Sequence, residues 1–107
     1  MSLDFNLYEL QSSRVCGENI THNLGKMAKE AGIYDALWHP TENGYTKGKD
    51  IIPILQAGLA KLEANPGYFK KFDSPNGWGL YIHFVPFVKR VLEGCVGHPD
   101  ADIVVSI

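Results

Sequence analysis

The chain has 107 residues, 45% of them hydrophobic, 21% charged and 11% aromatic, and 30 of them are Leu, Ile, Val or Phe. That apolar share lies above the roughly 20% below which a chain cannot bury enough surface to stay ordered, so intrinsic disorder is excluded and one domain spanning 1–107 is expected. A net charge of −2, from 10 Lys and Arg against 12 Asp and Glu, gives no electrostatic reason to seek nucleic acid or an anionic membrane, and the apolar runs are far shorter than the ~20 residues a bilayer span needs.

Leu3, Phe5 and Leu7 alternate with Asp4 and Asn6, the period of a strand with one buried face. The alternation slips at Tyr8, which predicts a bulge or an early strand end. Gln11-Ser12-Ser13 reads as a turn. Arg14-Val15-Cys16 and Asn19-Ile20 read as a returning strand interrupted by Gly17. Thr21 is placed to cap the next segment, in which Leu24, Met27, Ala28, Ala31, Tyr34, Leu37 and Trp38 recur at helical spacing. Gly32 either weakens that helix by about 1 kcal/mol or ends it, with Ile33 to Trp38 forming a further turn.

Pro40 and Asn43-Gly44 close this region. Thr46 or Asp50 is expected to cap a second helix carrying Ile51, Ile52, Leu55, Leu59 and Leu62, with Pro53 in its first turn after an Asp50 cap. Asn65-Pro66-Gly67 ends it, Tyr68, Phe69 and Phe72 cluster on a short helical turn, and residues 73–77 form a loop by composition. The last helix is predicted from about Tyr81 to Val96, facing Phe84, Phe87, Val88, Val91, Leu92 and Cys95 inward, with Pro86 in its first turn or at a kink. Ile103-Val104-Val105 is a closing β-branched strand. The expected fold class is therefore α+β: a small β-sheet, made of an N-terminal strand or hairpin plus a C-terminal strand, covered on one face by about three helices.

The start, Met1-Ser2-Leu3-Asp4, has neither a basic nor an apolar leader pattern, which predicts a cytoplasmic protein whose Cys16 and Cys95 remain thiols. Lys47, Lys49, Lys61, Lys70 and Lys71 crowd one stretch while residues 93–107 hold three acids and no base, so one face is expected to be basic or simply solvated.

Ile20-Thr21-His22-Asn23-Leu24, Met27-Ala28, Ala31-Gly32-Ile33-Tyr34 and Leu37-Trp38 resemble a small uncharacterised protein family of bacterial and phage genomes. The likeness continues through Asn76-Gly77-Trp78-Gly79 with Tyr81 and through Pro99-Asp100-Ala101-Asp102-Ile103 with Val105-Ser106. The resemblance implies an autonomous domain and a phage or prophage setting, and no reaction. His39 departs from the Arg expected after the Trp, which puts in doubt any anion contact made there in relatives.

Two constellations stand out as candidate ligand- or partner-binding residues. Glycines flanking Trp78, with Tyr81 nearby, give a backbone close approach beside a flat indole able to stack a planar ligand; the alternative is that Trp78 folds back over the core. Thr21, His22 and Asn23 set an imidazole and an amide beside free backbone N–H groups, a layout that suits a hydrogen-bonded ligand and serves a helix cap equally well. Cys95-x-x-His98, with Asp100 and Asp102 nearby, falls short of a zinc motif, so no metal and no cofactor are expected. No GxSxG, Walker A or GxGxxG motif is present. The leading expectation is a non-enzymatic module binding a protein or a small ligand, with a homodimer compatible through sheet edges or the Tyr68, Phe69 and Phe72 patch. The alternative is a small enzyme using His22 as acid and base, with Asn23 orienting the substrate.

Overall fold

The alternating N-terminal pattern forms strand β1, Ser2–Glu9, which buries Leu3, Phe5 and Leu7 completely. The structure, a computed structural model, describes residues 2–10 and 13–107; Gln11 and Ser12 of the expected turn lie outside the described residues. Strand β2, Ser13–Thr21, returns antiparallel to β1 and runs unbroken through Gly17, which faces Asn6. Leu7 faces Cys16 but Tyr8 faces Arg14, so Val15 is an extra residue and the pairing bulges. The slip in the sequence at Tyr8 is this irregularity, seen from the partner strand.

The closing strand β3, Asp102–Ser106, pairs antiparallel with the other edge of β1, from Asp4 opposite Ser106 to Tyr8 opposite Asp102. Strand order is β2-β1-β3.

Among the described residues five helices accompany the sheet, more than the three expected, because two chain breakers act as boundaries. After a 3-10 turn at His22–Leu24 comes α1, Gly25–Glu30, which ends where Gly32 adopts φ +78°, and Ile33 N–H then donates to the Ala28 carbonyl at 3.0 Å. Helix α2, Tyr34–Trp38, follows. Pro66 opens rather than merely ends a segment, standing at the first position of α4, Pro66–Phe69, which leads into a 3-10 turn at Lys70–Phe72.

The two long helices are α3, Gly48–Ala64, and α5, Tyr81–Gly97, each of 17 residues; they pack on one another, and α5 packs on β1 and β2. Each carries a proline at its sixth residue, Pro53 and Pro86, beyond the first turn that is the expectation for Pro53 and one of two expectations, with a kink, for Pro86. Both prolines are exposed, so water reaches the carbonyls they deprive of a donor.

Helix α3 begins two residues before Asp50, against the expectation of an Asp50 or Thr46 cap. Its first N–H groups find distant partners: Gly48 donates to the Ala101 carbonyl at 3.0 Å and Lys49 to that of Pro99 at 2.9 Å. Asp50 instead reaches back from the third position, where Oδ2 accepts from the Lys47 and Thr46 N–H groups at 2.9 and 3.0 Å. Those two bonds hold its carboxyl below the usual carboxylate range. A single cluster containing Phe5, Leu24, Leu37, Leu55, Phe84 and Phe87 runs between the helices and the sheet. Among the described residues no helix is long and apolar enough to cross a membrane.

Candidate functional site

The loop between α4 and α5 is held from within. Asn76 Oδ1 accepts from the Trp78 N–H at 2.9 Å and from the Ser74 hydroxyl at 2.6 Å, and Ser74 N–H donates to the Gly79 carbonyl at 3.0 Å. Asp73 Oδ1 accepts from the Tyr81 N–H at 2.7 Å and fixes the start of α5. Gly77 and Gly79 take φ +78° and +110°, conformations that L side chains rarely adopt. At the apex the Trp78 side chain stands free of the core, and the residue is 72% exposed.

Opposite the loop lies the end of β2. Thr21 Oγ1 accepts from the Asn23 N–H at 3.3 Å, the cap expected of it, although what it caps is a 3-10 turn. The Asn23 side chain crosses to the loop, where Nδ2 donates to the Trp78 carbonyl at 2.7 Å. A Cβ on Gly79 would come within 2.9 Å of Asn23 Cβ, so the glycine permits this contact. His22 is fixed from behind, because buried Trp38 donates its indole N–H to His22 Nδ1 at 2.8 Å and itself stacks on Tyr34 with ring centroids 5.1 Å apart. An Nδ1 that accepts leaves the neutral ring's proton on Nε2, which makes no hydrogen bond among the described residues.

Together these walls enclose a cleft of about 790 Å³ lined by Asn19, Thr21, His22, Asn23, Trp78 and His83, among others. Four of the five residues singled out in the sequence meet here. The fifth, Tyr81, does not: it is buried, its hydroxyl donates to the Leu62 carbonyl at 2.6 Å, and burial raises its phenol. Tyr81 ties the first turn of α5 to the end of α3, which is a core role.

His83 and Asn19 were missed. The helical period that turns Tyr81 and Phe84 inward places His83 outward, so the signal existed; for Asn19 only the strand register, which sets it opposite Asp4, reveals its place.

His22 also borders a second cleft of about 820 Å³, whose lining includes Lys26, Lys29, Tyr34, Trp38 and His39. Lys29 Nζ sits 4.6 Å from the Tyr34 ring centre and Lys26 Nζ 5.8 Å from that of Phe72. The expected basic stretch divides. Lys47 and Lys49 pair with Asp102 and Asp100, whereas Lys61, Lys70 and Lys71, like Lys26 and Lys29, form no ion pair among the described residues.

Burial disfavours the thiolate form of both cysteines. Burial pushes the Cys95 thiol up to about 12, and burial, followed by Glu18, raises that of Cys16. His98 Nδ1 contacts Glu9 Oε1 at 3.0 Å, and among the described residues no three His, Cys, Asp or Glu side chains converge as a metal site. No family model, curated protein or solved structure matches the chain.

Proposed function

We propose that the protein is a non-enzymatic binding module whose cleft between Thr21, His22, Asn23 and Trp78 takes a small ligand bearing a planar group. One observation carries this reading: a large aromatic side chain is held out at the rim of a cleft by a loop that satisfies its own backbone, where a core role would have buried it. The indole supplies a stacking face. Asn19, Thr21, His22 and His83 supply donors and acceptors around it, the mix of apolar surface and few polar groups that ligand clefts use. The catalytic alternative draws less support, since Asn23 Nδ2 is engaged by the Trp78 carbonyl and His22 Nδ1 by Trp38. A general base needs a free ring nitrogen that accepts, and here the accepting nitrogen is occupied.

The test is an NMR titration of the full chain with a set of small heteroaromatic fragments, repeated on Trp78→Ala. Saturable shifts at the Trp78 indole N–H and at His22 and Asn23, lost in the variant while the melting temperature holds, are the expected result. Fragments that leave these signals unmoved, or that bind Trp78→Ala equally well, would overturn the reading.

A further inference from the structure

Four polar side chains lining the Trp78 cleft each have one end committed to a partner whose role is unambiguous, and that fixes what the other end presents. Asn23 Nδ2 donates to the Trp78 carbonyl at 2.7 Å, which leaves Oδ1 as an acceptor. Asn19 Nδ2 donates to the Asp4 carboxylate at 2.6 Å and to the Ser2 hydroxyl at 3.0 Å, which leaves its Oδ1 as a second acceptor. Asn76 is set the other way round: its Oδ1 accepts from the Trp78 N–H at 2.9 Å, which leaves Nδ2 as a donor. His22 Nδ1 accepts from the Trp38 indole at 2.8 Å, which leaves Nε2–H as a second donor. None of these four remaining groups makes a hydrogen bond among the described residues.

The cleft therefore offers a mixed set, donors from His22 and Asn76 and acceptors from Asn19 and Asn23, around an exposed indole. Among the described residues no Lys, Arg, Asp or Glu lines it. The Asp4 carboxylate is engaged by Asn19 and lines a different cleft. A charged ligand would give up hydration here without gaining a counter-charge. A plain hydrocarbon ring would cover the polar groups and leave them unpaired.

From this layout we infer that the Trp78 cleft selects an uncharged heteroaromatic ring that carries both a carbonyl oxygen and a ring N–H, the chemistry of a cyclic amide. The ring stacks on Trp78, its carbonyl accepts from His22 Nε2–H or Asn76 Nδ2, and its N–H donates to the Oδ1 of Asn19 or Asn23. The inference rests on the binding reading of this cleft and adds the charge and the hydrogen-bonding pattern of the ligand. Neutral hydrogen bonds carry the selectivity, so it survives added salt.

The experiment follows the Trp78 indole N–H of the full chain by NMR during titration with 2-quinolone and 4-quinolone, which set the two groups side by side and across the ring. Their N-methyl derivatives, quinoline and quinoline-2-carboxylate serve as comparisons. At least one quinolone is expected to bind about tenfold tighter than its N-methyl derivative and than quinoline, the scale of a hydrogen bond whose loss leaves its partner unpaired. Quinoline-2-carboxylate should bind no tighter than quinoline, and a proton–nitrogen spectrum of the His22 ring should show the proton on Nε2. Quinoline or the N-methyl derivatives matching both quinolones, or the carboxylate binding tightest, overturns the inference while leaving the cleft a site for planar groups. A neutral His22 ring with its proton on Nδ1 overturns it as well. If none of these compounds moves the Trp78 indole while other heteroaromatic fragments do, the inference alone fails. If no fragment moves it, the binding reading fails too.

Discussion

Trp38 and Trp78 flank the same short segment, His22-Asn23, and are used in opposite ways. Trp38 is 2% exposed, stacked on Tyr34, with its N–H directed at His22 Nδ1; Trp78 is 72% exposed and bound to Asn23 only through its backbone carbonyl. The difference lies in what surrounds each indole rather than in the indole itself. Helix α2 has no option but to bury one face, whereas the loop at residues 73–80 closes its own hydrogen bonds and so needs no side chain in the core to hold its shape. One tryptophan is structural support and the other is surface on offer.

The sharpest way to break that contrast is to truncate both. Trp38→Ala is expected to cost about 3 to 5 kcal/mol, the range for deleting a buried indole, and to leave His22 without its donor. Urea unfolding measures it, and a loss no larger than that of Trp78→Ala would end the comparison. Next comes the loop. Gly79→Ala forces a residue at φ +110° and a Cβ against Asn23, an expected loss of about 1 to 3 kcal/mol. Gly77→Ala, where nothing lies within 4 Å of the new Cβ, meets the φ penalty alone and should cost less. Equal losses at the two glycines would mean that the Asn23 contact does not hold the loop.

The start of α3 lies away from both tryptophans and serves as a control. The Asp50 carboxyl titrates below its ordinary value of 3.8, so between the folded value and 3.8 the unfolded chain binds more protons. Its stabilising contribution is therefore complete above 3.8 and fades as pH falls through the lower, folded value. Asp50→Ala is expected to cost about 1 kcal/mol at neutral pH, the usual scale for a lost cap, and the gap from the parent protein should close in strong acid. A gap that persists there would assign the loss to something other than the charged cap.

The fold was legible wherever burial repeats at a local period. Leu3, Phe5 and Leu7 announce a one-sided strand, Tyr8 announces the register slip, and Phe84, Phe87, Val88 and Val91 announce the inner face of α5. Helix α3 shows where this fails: its start is decided by the carbonyls of Pro99 and Ala101, about fifty residues downstream, and no local pattern carries that information. The site divides in the same way. Thr21, His22, Asn23 and Trp78 could be named from residue type, but the bond from Asn23 to the Trp78 carbonyl, which joins them, spans 55 positions. Tyr81 was drawn in by nearness to Trp78 along the chain. Three residues further on, a helix has already turned its side chain inward.

The smallest expected change in stability belongs to the residue with the largest expected change in function. Trp78 touches the fold chiefly through its backbone N–H to Asn76 and its carbonyl from Asn23, and both survive truncation of the side chain. Trp78→Ala should therefore unfold within about 0.5 kcal/mol of the parent protein, as a surface substitution does. Amide exchange in residues 74–79 should be unchanged, while the fragment-induced shifts at His22 and Asn23 vanish. A loss of several kcal/mol would mean that the indole covers the core in solution after all, and the cleft would lose its stacking wall.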